Sequence, residues 1–265
     1  MTSLSPDEIF EFVSFAHSLA DQAGQEILPL FRNFGEVENK DGEGFDPVTA
    51  ADRGAENVMR SAIESRYPRH GIFGEEFAPR PADGPFEWVL DPIDGTKAFI
   101  CGLPLWGTLI GLKEDGKPLI GMMDQPYLGE RFWGGPGGAF FRSRQGERRI
   151  STRGCSSLEN AILGATTPDM FRGEDAGRFN ALSSRCRMTR YGADCYMYCM
   201  LAAGLVDIVA EASLKPFDIA PLIPVIEAAG GKVTTWDGAD AANGGYILAT
   251  CDPALHQSAL RALQA

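Results

Sequence analysis

The stretch FEWVLDPIDGTKAFI, residues 86–100, constrains this chain more than any other. An apolar run suited to a buried strand ends in Asp91, and an Asp-Pro turn, a second acid at Asp94 and then Gly95-Thr96-Lys97 follow it. Two carboxylates three residues apart at the end of a buried strand repel each other unless positive charge sits between them. The fold must therefore bring this strand end to a cation or to a place where one can bind.

With 265 residues and 44% hydrophobic content, the chain can bury one large core or two modest ones. The opening MTSLSPDEIF has no basic segment followed by an apolar run, and no stretch reaches the apolar length of a membrane span. A cytoplasmic protein without membrane contact is expected. Six cysteines at irregular spacing, with no Cys-x-x-Cys pair, fit reduced buried thiols better than a disulfide framework. A formal net charge of −12 argues against the basic surface that nucleic-acid binding requires.

Ser5-Pro6-Asp7-Glu8 carries the signals of a capping box, and Ile9, Phe12, Val13, Ala16, Leu19 and Ala23 follow at helical spacing. A Gly- and charge-rich loop, GEVENKDGEGFDP, precedes a second helix over residues 49–67 that Pro68 stops. Short apolar runs then alternate with turns (GIF, EWVL, WGTLIGL, KPLIGMMDQP, ERFWGG), which predicts a meandering antiparallel sheet. From about residue 150 the rhythm changes to alternating strands and helices, with helices near 171–184, from Asp194 to Ala203, from Ile219 to Ala229 and at the end of the chain. This places a boundary near residue 150, between an N-terminal half (1–150) and a C-terminal half (151–265).

Several acids stand where strands end or helices begin: Asp46 and Asp52 around PVTAAD, Glu75 and Glu76, Asp91 and Asp94, and Asp218. The histidines, His17, His70 and His256, join none of these clusters, which argues against a His/Cys zinc site. Hard oxygen ligands select Mg²⁺, with Mn²⁺ as a substitute. Gly95-Thr96, opening a short helix that Gly102 and Pro104 end, offers free amides beside the acids for an anion. Metals next to an anion cradle suit phosphoryl transfer. Taken singly, Asp-Pro-Ile-Asp-Gly is a turn, Glu75-Glu76 a solvated pair, Asp218 a helix cap and Asp52 a surface charge; their joint occurrence favours a site.

At these residues the sequence resembles the inositol monophosphatase family. The motifs run in order over nearly the whole chain: Asp46-Pro-Val-Thr-Ala-Ala-Asp52, Gly74-Glu75-Glu76, Trp88-Val-Leu-Asp91-Pro-Ile-Asp94-Gly-Thr96, Phe217-Asp218-Ile-Ala and Glu227-Ala-Ala-Gly-Gly. The resemblance implies a layered α/β fold, an αβαβα sandwich of the inositol monophosphatase and fructose-1,6-bisphosphatase-like type. It implies a Li⁺-sensitive phosphomonoesterase with two or three Mg²⁺ ions, acting on a small phosphate ester as a homodimer. One ion is then held by Glu75, Asp91 and the carbonyl of Ile93, and another by Asp91, Asp94 and Asp218. Thr96, hydrogen-bonded to Asp52 and with Glu75 nearby, activates a water, and the amides around Gly95 and Thr96 take the phosphate.

Specificity is expected in the C-terminal half, with Asp94 and Asp218 at the metal end. Glu211 falls where inositol-specific members of the family use a carboxylate, and Asp194 where they have a small apolar residue. An added carboxylate disfavours a neutral polyol and favours an ammonium- or imidazolium-bearing leaving group. With Lys97 and Leu214-Lys-Pro-Phe-Asp as further departures, the resemblance points to the histidinol-phosphate phosphatase branch and to histidine biosynthesis. Asp194 is equally placed to cap its helix, and Arg190 to pair with either acid. Inositol 1-phosphate, sugar phosphates and 3'-phosphoadenosine nucleotides remain alternatives, as does a Ca²⁺-stabilised binding protein, although no EF-hand spacing is present. Cys195 and Cys199 share a helix face and read as packing residues, as do Trp88 and the phenylalanines of the first helix; Phe99 and Trp106 are candidates for the entrance.

Overall fold

The computed structural model describes residues 2, 4–33, 38–39 and 47–264. Asp46 and most of the charge-rich loop lie outside the described residues. Helix α1 (Pro6–Ile27) opens on the expected capping box: the Glu8 amide donates to the Ser5 hydroxyl (3.3 Å), and the Ser5 amide donates to the Glu8 carboxylate (2.8 Å). Two-residue strands β1 (Glu38–Asn39) and β2 (Pro47–Val48) pair antiparallel at the ends of the predicted loop. Helix α2 (Ala50–Arg66) has Thr49 as its N-cap and buries Ala51, Ala55, Met59 and Ile63 at helical spacing.

The meander forms a sheet of seven strands in the order β3 (Gly71–Gly74), β4 (Phe86–Asp94), β5 (Gly107–Glu114), β6 (Lys117–Gln125), β7 (Glu130–Gly135), β8 (Gly138–Ser143) and β9 (Gly146–Arg149). Only β3 and β4 pair in parallel; the remaining pairs are antiparallel. A five-residue helix, α3 (Thr96–Ile100), leaves the end of β4. In the C-terminal half come β10 (Ile162–Ala165), α4 (Glu174–Ser183), β11 (Met188–Tyr191), α5 (Asp194–Ala202), β12 (Ile208–Leu214), α6 (Pro216–Ile219), α7 (Ile223–Ala228), β13 (Lys232–Thr235), β14 (Gly245–Thr250) and α8 (Pro253–Leu263). The second sheet runs β11-β10-β12-β14-β13. The single helix expected from Ile219 to Ala229 is two short ones, because Pro221, lacking an amide proton, stands between them.

Period-two alternation sorts the side chains into three cores and so into five layers. Helices α1 and α2 cover one face of the large sheet around Trp88, Leu90, Ile110, Leu112 and Met122. From its other face Leu109, Met123 and Phe132 meet α5, α7 and the inner face of the second sheet, where Val209 and Ile247 point inward. Ile208, Ala210 and Leu248 alternate outward onto α4 and α8. The order is α, β, α, β, α. Phe99 and Trp106, placed at the entrance on sequence grounds, are instead fully buried and pack edge-on with centroids 5.2 Å apart. Among the described residues no helix is long and apolar enough to cross a membrane.

The C-terminal half docks on a row of glycines. Gly111, Gly121 and Gly134 lie directly opposite one another on β5, β6 and β7, which leaves a strip of bare backbone across the sheet. The segment Pro221 to Val225 lies along it. A Cβ at Gly121 would sit 1.7 Å from the Pro221 carbonyl oxygen, and one at Gly134 would sit 2.5 Å from the Pro224 oxygen. Both obstructing atoms are backbone, so neither can swing aside. Gly121→Ala is expected to destabilise the protein by about 3 kcal/mol, lowering Tm by roughly 10 °C in a thermal melt. An unchanged Tm would mean the strip is not a tight contact.

Candidate active site

Strand β4 does not end at Asp91. It pairs Asp91 with Leu109 and Asp94 with Gly107, advancing three residues against two on β5. The extra residue is a bulge, and it reverses the alternation of faces: residues three apart, which a regular strand points to opposite sides, come to the same side. Pro92, which has no amide to lose, sits within it, its carbonyl accepting from the Thr108 hydroxyl (2.8 Å). Gly95 then takes a left-handed φ of 86° and turns the chain into α3. A Cβ there would stand 3.3 Å from the Asp194 side chain, so the conformation and the neighbour both favour glycine.

The third acid arrives from the other half. Asp218, in α6, accepts from the Lys215 amide at 2.7 Å. One oxygen each from Asp91, Asp94 and Asp218 lie within 4.8 Å of one another, a group that could hold a metal ion. Glu75, whose amide donates to the Leu90 carbonyl at the end of β3 (3.2 Å), lines the same cavity of about 360 Å³. Behind it the Glu76 amide donates to the buried Glu56 carboxylate (2.8 Å).

Among the described residues none of the three clustered acids has a basic side chain in ion-pair contact. Burial first, and then the charges of Glu75, Asp94 and Asp218, hold the Asp91 carboxyl well above the usual range. Asp94 is raised in the same way, by burial and by Asp194 and Asp218. Asp218 is pushed up to about 7 by burial, with Glu75 and Glu211 adding to it. This is the electrostatic signature of carboxylates gathered for a cation.

The expected Thr96–Asp52 hydrogen bond is not formed. The Thr96 hydroxyl donates to the Ile93 carbonyl (3.1 Å), while Asp52 Oδ2 accepts from the amide and hydroxyl of Thr49 (2.8 and 2.6 Å) as part of the α2 capping box. The other oxygen, Oδ1, is buried without a partner, and burial raises the Asp52 carboxyl to about 6.

Asp94, Thr166, Asp194 and Asp218 also border a second, smaller cavity of about 90 Å³, closed by Tyr198, Glu211 and Leu214 among others. Glu211 is 2% exposed and accepts three hydrogen bonds: from the Thr166 amide (2.7 Å), the Thr166 hydroxyl (2.6 Å) and the Tyr198 hydroxyl (3.0 Å). All three donors are neutral. Asp194 does not cap α5: the helix begins after Ala193 with no side-chain cap, and the Cys195 amide donates instead to Asp94 Oδ2 at 2.6 Å. Burial lifts the Asp194 carboxyl to about 6, against the Thr166 hydroxyl and the charge of Lys97. Arg190 is exposed on β11 and, among the described residues, pairs with neither acid. Cys195 and Cys199 are buried in the central core.

Sequence reasoning missed Thr166 and Tyr198. Tyr198 follows Asp194 by one helical turn, a spacing visible in the sequence. Thr166 offered no local signal: it meets Glu211 because β10 and β12 run parallel with Leu163 opposite Ile208, a register that carried forward sets 166 beside 211.

The sequence model of the inositol monophosphatase family matches residues 9–265. The chain is 40% identical to the Arabidopsis thaliana bifunctional phosphatase IMPL2, chloroplastic, over 99% of this chain and 78% of that protein. A histidinol-phosphatase of Mycobacterium tuberculosis is 37% identical, over 83% of this chain and 85% of its own length. An inositol-1-monophosphatase of Mesorhizobium japonicum is 32% identical, with 83% and 85% covered. The solved structure of an inositol monophosphatase from Zymomonas mobilis superposes with a TM-score of 0.86 at 40% identity, over 99% of this chain and 100% of that one. This chain belongs to the inositol monophosphatase family of phosphatases.

Proposed function

We propose that the protein is a Mg²⁺-dependent phosphomonoesterase that hydrolyses L-histidinol phosphate to L-histidinol and phosphate. The observation that carries the choice of substrate is the pair Asp194 and Glu211, two acids beside the metal cluster at a small cavity, one satisfied by neutral donors alone. A buried carboxylate without a cationic partner is costly, and a substrate ammonium or imidazolium would relieve that cost. A neutral polyol would not. The relatives named histidinol-phosphatase, from Mycobacterium tuberculosis, Chlorobaculum parvum and Streptomyces coelicolor, support this choice.

The donor set fits a hard divalent ion: three carboxylates whose oxygens lie within 4.8 Å, crowded enough to resist ionisation and without basic partners among the described residues. Ions held by Asp91, Asp94 and Asp218, and by Glu75, Asp91 and the Ile93 carbonyl, would supply Lewis-acid charge to the phosphoryl group and a more acidic water. The chain's own part is to hold and move a proton. Thr96 and Glu75 orient the attacking water, which requires the Thr96 hydroxyl to turn away from the Ile93 carbonyl that it now occupies. Asp52, with one buried oxygen unpartnered and a carboxyl pushed up to about 6, is suited to accept the proton near neutral pH. The amides of Gly95 and Thr96, at the open start of α3, receive phosphate oxygens.

Inorganic phosphate release with Mg²⁺ tests the substrate directly. Histidinol phosphate is expected to give the highest kcat/KM in a panel with inositol 1-phosphate, fructose 1,6-bisphosphate and 3'-phosphoadenosine 5'-phosphate. A preference for inositol 1-phosphate, as the relative named for it would suggest, overturns the substrate and leaves the metal chemistry standing. No release from any ester favours a metal-stabilised binding protein. Asp194→Ala is expected to raise KM for histidinol phosphate about tenfold with a smaller effect on inositol 1-phosphate; an equal effect on both would remove Asp194 from recognition.

The metal reading has a thermodynamic consequence. A carboxyl whose folded pKa is raised contributes stability that is full below its unfolded value, 3.8 for Asp218, and lost as pH rises through its folded value, about 7. In EDTA, Tm should therefore fall as pH rises across that window, and Mg²⁺ should restore it. Asp218→Asn should raise Tm in EDTA by about 2–4 °C while reducing the rise with Mg²⁺, the set of Glu75, Asp91 and the Ile93 carbonyl being left in place. A lower Tm for the variant in EDTA would show that the acids do not strain the metal-free fold.

A further inference from the structure

We propose that Thr166 is a positioning residue that holds Glu211 and the turn bearing Asp194 together as one reader of a cationic leaving group. The proposal rests on the substrate reading above and deepens it. Thr166 stands one residue past β10 and borders both cavities. Its amide and its hydroxyl both donate to Oε1 of Glu211, at 2.7 and 2.6 Å, leaving Oε2 to the Tyr198 hydroxyl. With two donors on one oxygen and the Tyr198 hydroxyl on the other, the carboxylate is anchored at both oxygens and its plane is set.

The same residue ties down the other acid. Its carbonyl, together with that of Ala165, accepts from the Gly192 amide (2.9 and 3.0 Å). Gly192 begins a run of three left-handed residues, with φ of 88° there, 86° at Ala193 and 40° at Asp194. Two of the three are not glycine, and each such residue persists only where its surroundings over-determine it. What holds the turn is the Gly192 amide on its near side and the Cys195 amide on Asp94 on its far side. Loss of the hydroxyl takes one of three donors from Glu211, while the backbone ties of Thr166 to Glu211 and to Gly192 remain, so the carboxylate shifts against a turn that stays in place.

The test is a steady-state comparison of wild type, Thr166→Ser, Thr166→Ala and Thr166→Val with Mg²⁺, on histidinol phosphate and on inositol 1-phosphate. Thr166→Val and Thr166→Ala should each raise KM for histidinol phosphate about tenfold, the scale of one hydrogen bond to a charged group. The change in kcat should be smaller, so that the ratio of kcat/KM between the two esters falls. Thr166→Ser, which keeps the hydroxyl, should restore the wild-type ratio. The use of two truncations guards against one failing to fold. Equal losses on both esters, a loss confined to kcat, or no rescue by serine would reduce Thr166 to a structural residue and overturn the proposal. If the wild type itself shows no preference for histidinol phosphate, it is the substrate reading that fails; if it does and Thr166→Val keeps that preference, only the role of Thr166 fails.

Discussion

The mutual repulsion of Asp91, Asp94, Asp218 and Glu75 is the constraint around which the molecule is built. Carboxylates brought together out of water without a cation destabilise a fold, and here burial and one another's charge hold three of them above the ordinary carboxylate range. Such a cluster persists only if the framework is strong enough to oppose it. The framework is a seven-stranded sheet with helices on both faces, and its β4 strand carries two of the acids. The bulge at Pro92-Ile93 is the local device: in a regular strand Asp91 and Asp94, three residues apart, would face opposite sides of the sheet and no cluster could form.

Asp218 must also be held against that strand across the junction of the two halves. It sits three residues before Pro221, and Pro221 presses onto the bare backbone of Gly121. The contact that docks the C-terminal half is therefore close in sequence to the residue that completes the cluster. A glycine row on three adjacent strands admits backbone to backbone, so the docking distance cannot drift with side-chain rotamers. Rigid apposition of this kind suits a site whose acids would otherwise move apart.

Much of this was legible in the sequence because it rests on local periodicity. The capping box at Ser5, the second helix stopped by Pro68, the meander and the acidic motifs are all signals carried within a few residues. Strand β9 was not legible: GERR is wholly exposed and has no apolar residue to mark it. The bulge reads as a turn, because Asp-Pro and Asp-Gly favour turns wherever they occur, and only pairing with β5 shows that the strand continues through them. The glycine row is invisible for the same reason, since its members are 10 and 13 residues apart and meet only through register. Phe99 and Trp106 were placed at the mouth by their nearness to the motif, but aromatic burial decided otherwise, and both fill the core beside Phe31. The hydrogen bond of Thr96 depends on rotamers and metal charge, which sequence does not encode.

Asp94 links the two ends of the cleft. One of its oxygens belongs to the acidic cluster, and its Oδ2 accepts the Cys195 amide, fixing the start of α5 one residue beyond Asp194. On the proposed reading, cations at the cluster would offset the charge of Asp91, Asp94, Asp218 and Glu75, while Asp194 and Glu211 would keep theirs. The cleft would then present an anion-accepting end and a cation-accepting end, joined through a single side chain. A substrate with phosphate at one end and an amine or imidazole at the other matches that polarity, and a neutral polyol matches half of it. Selectivity would then follow from the unequal distribution of compensating charge among six clustered acids, with no need for a tighter cavity.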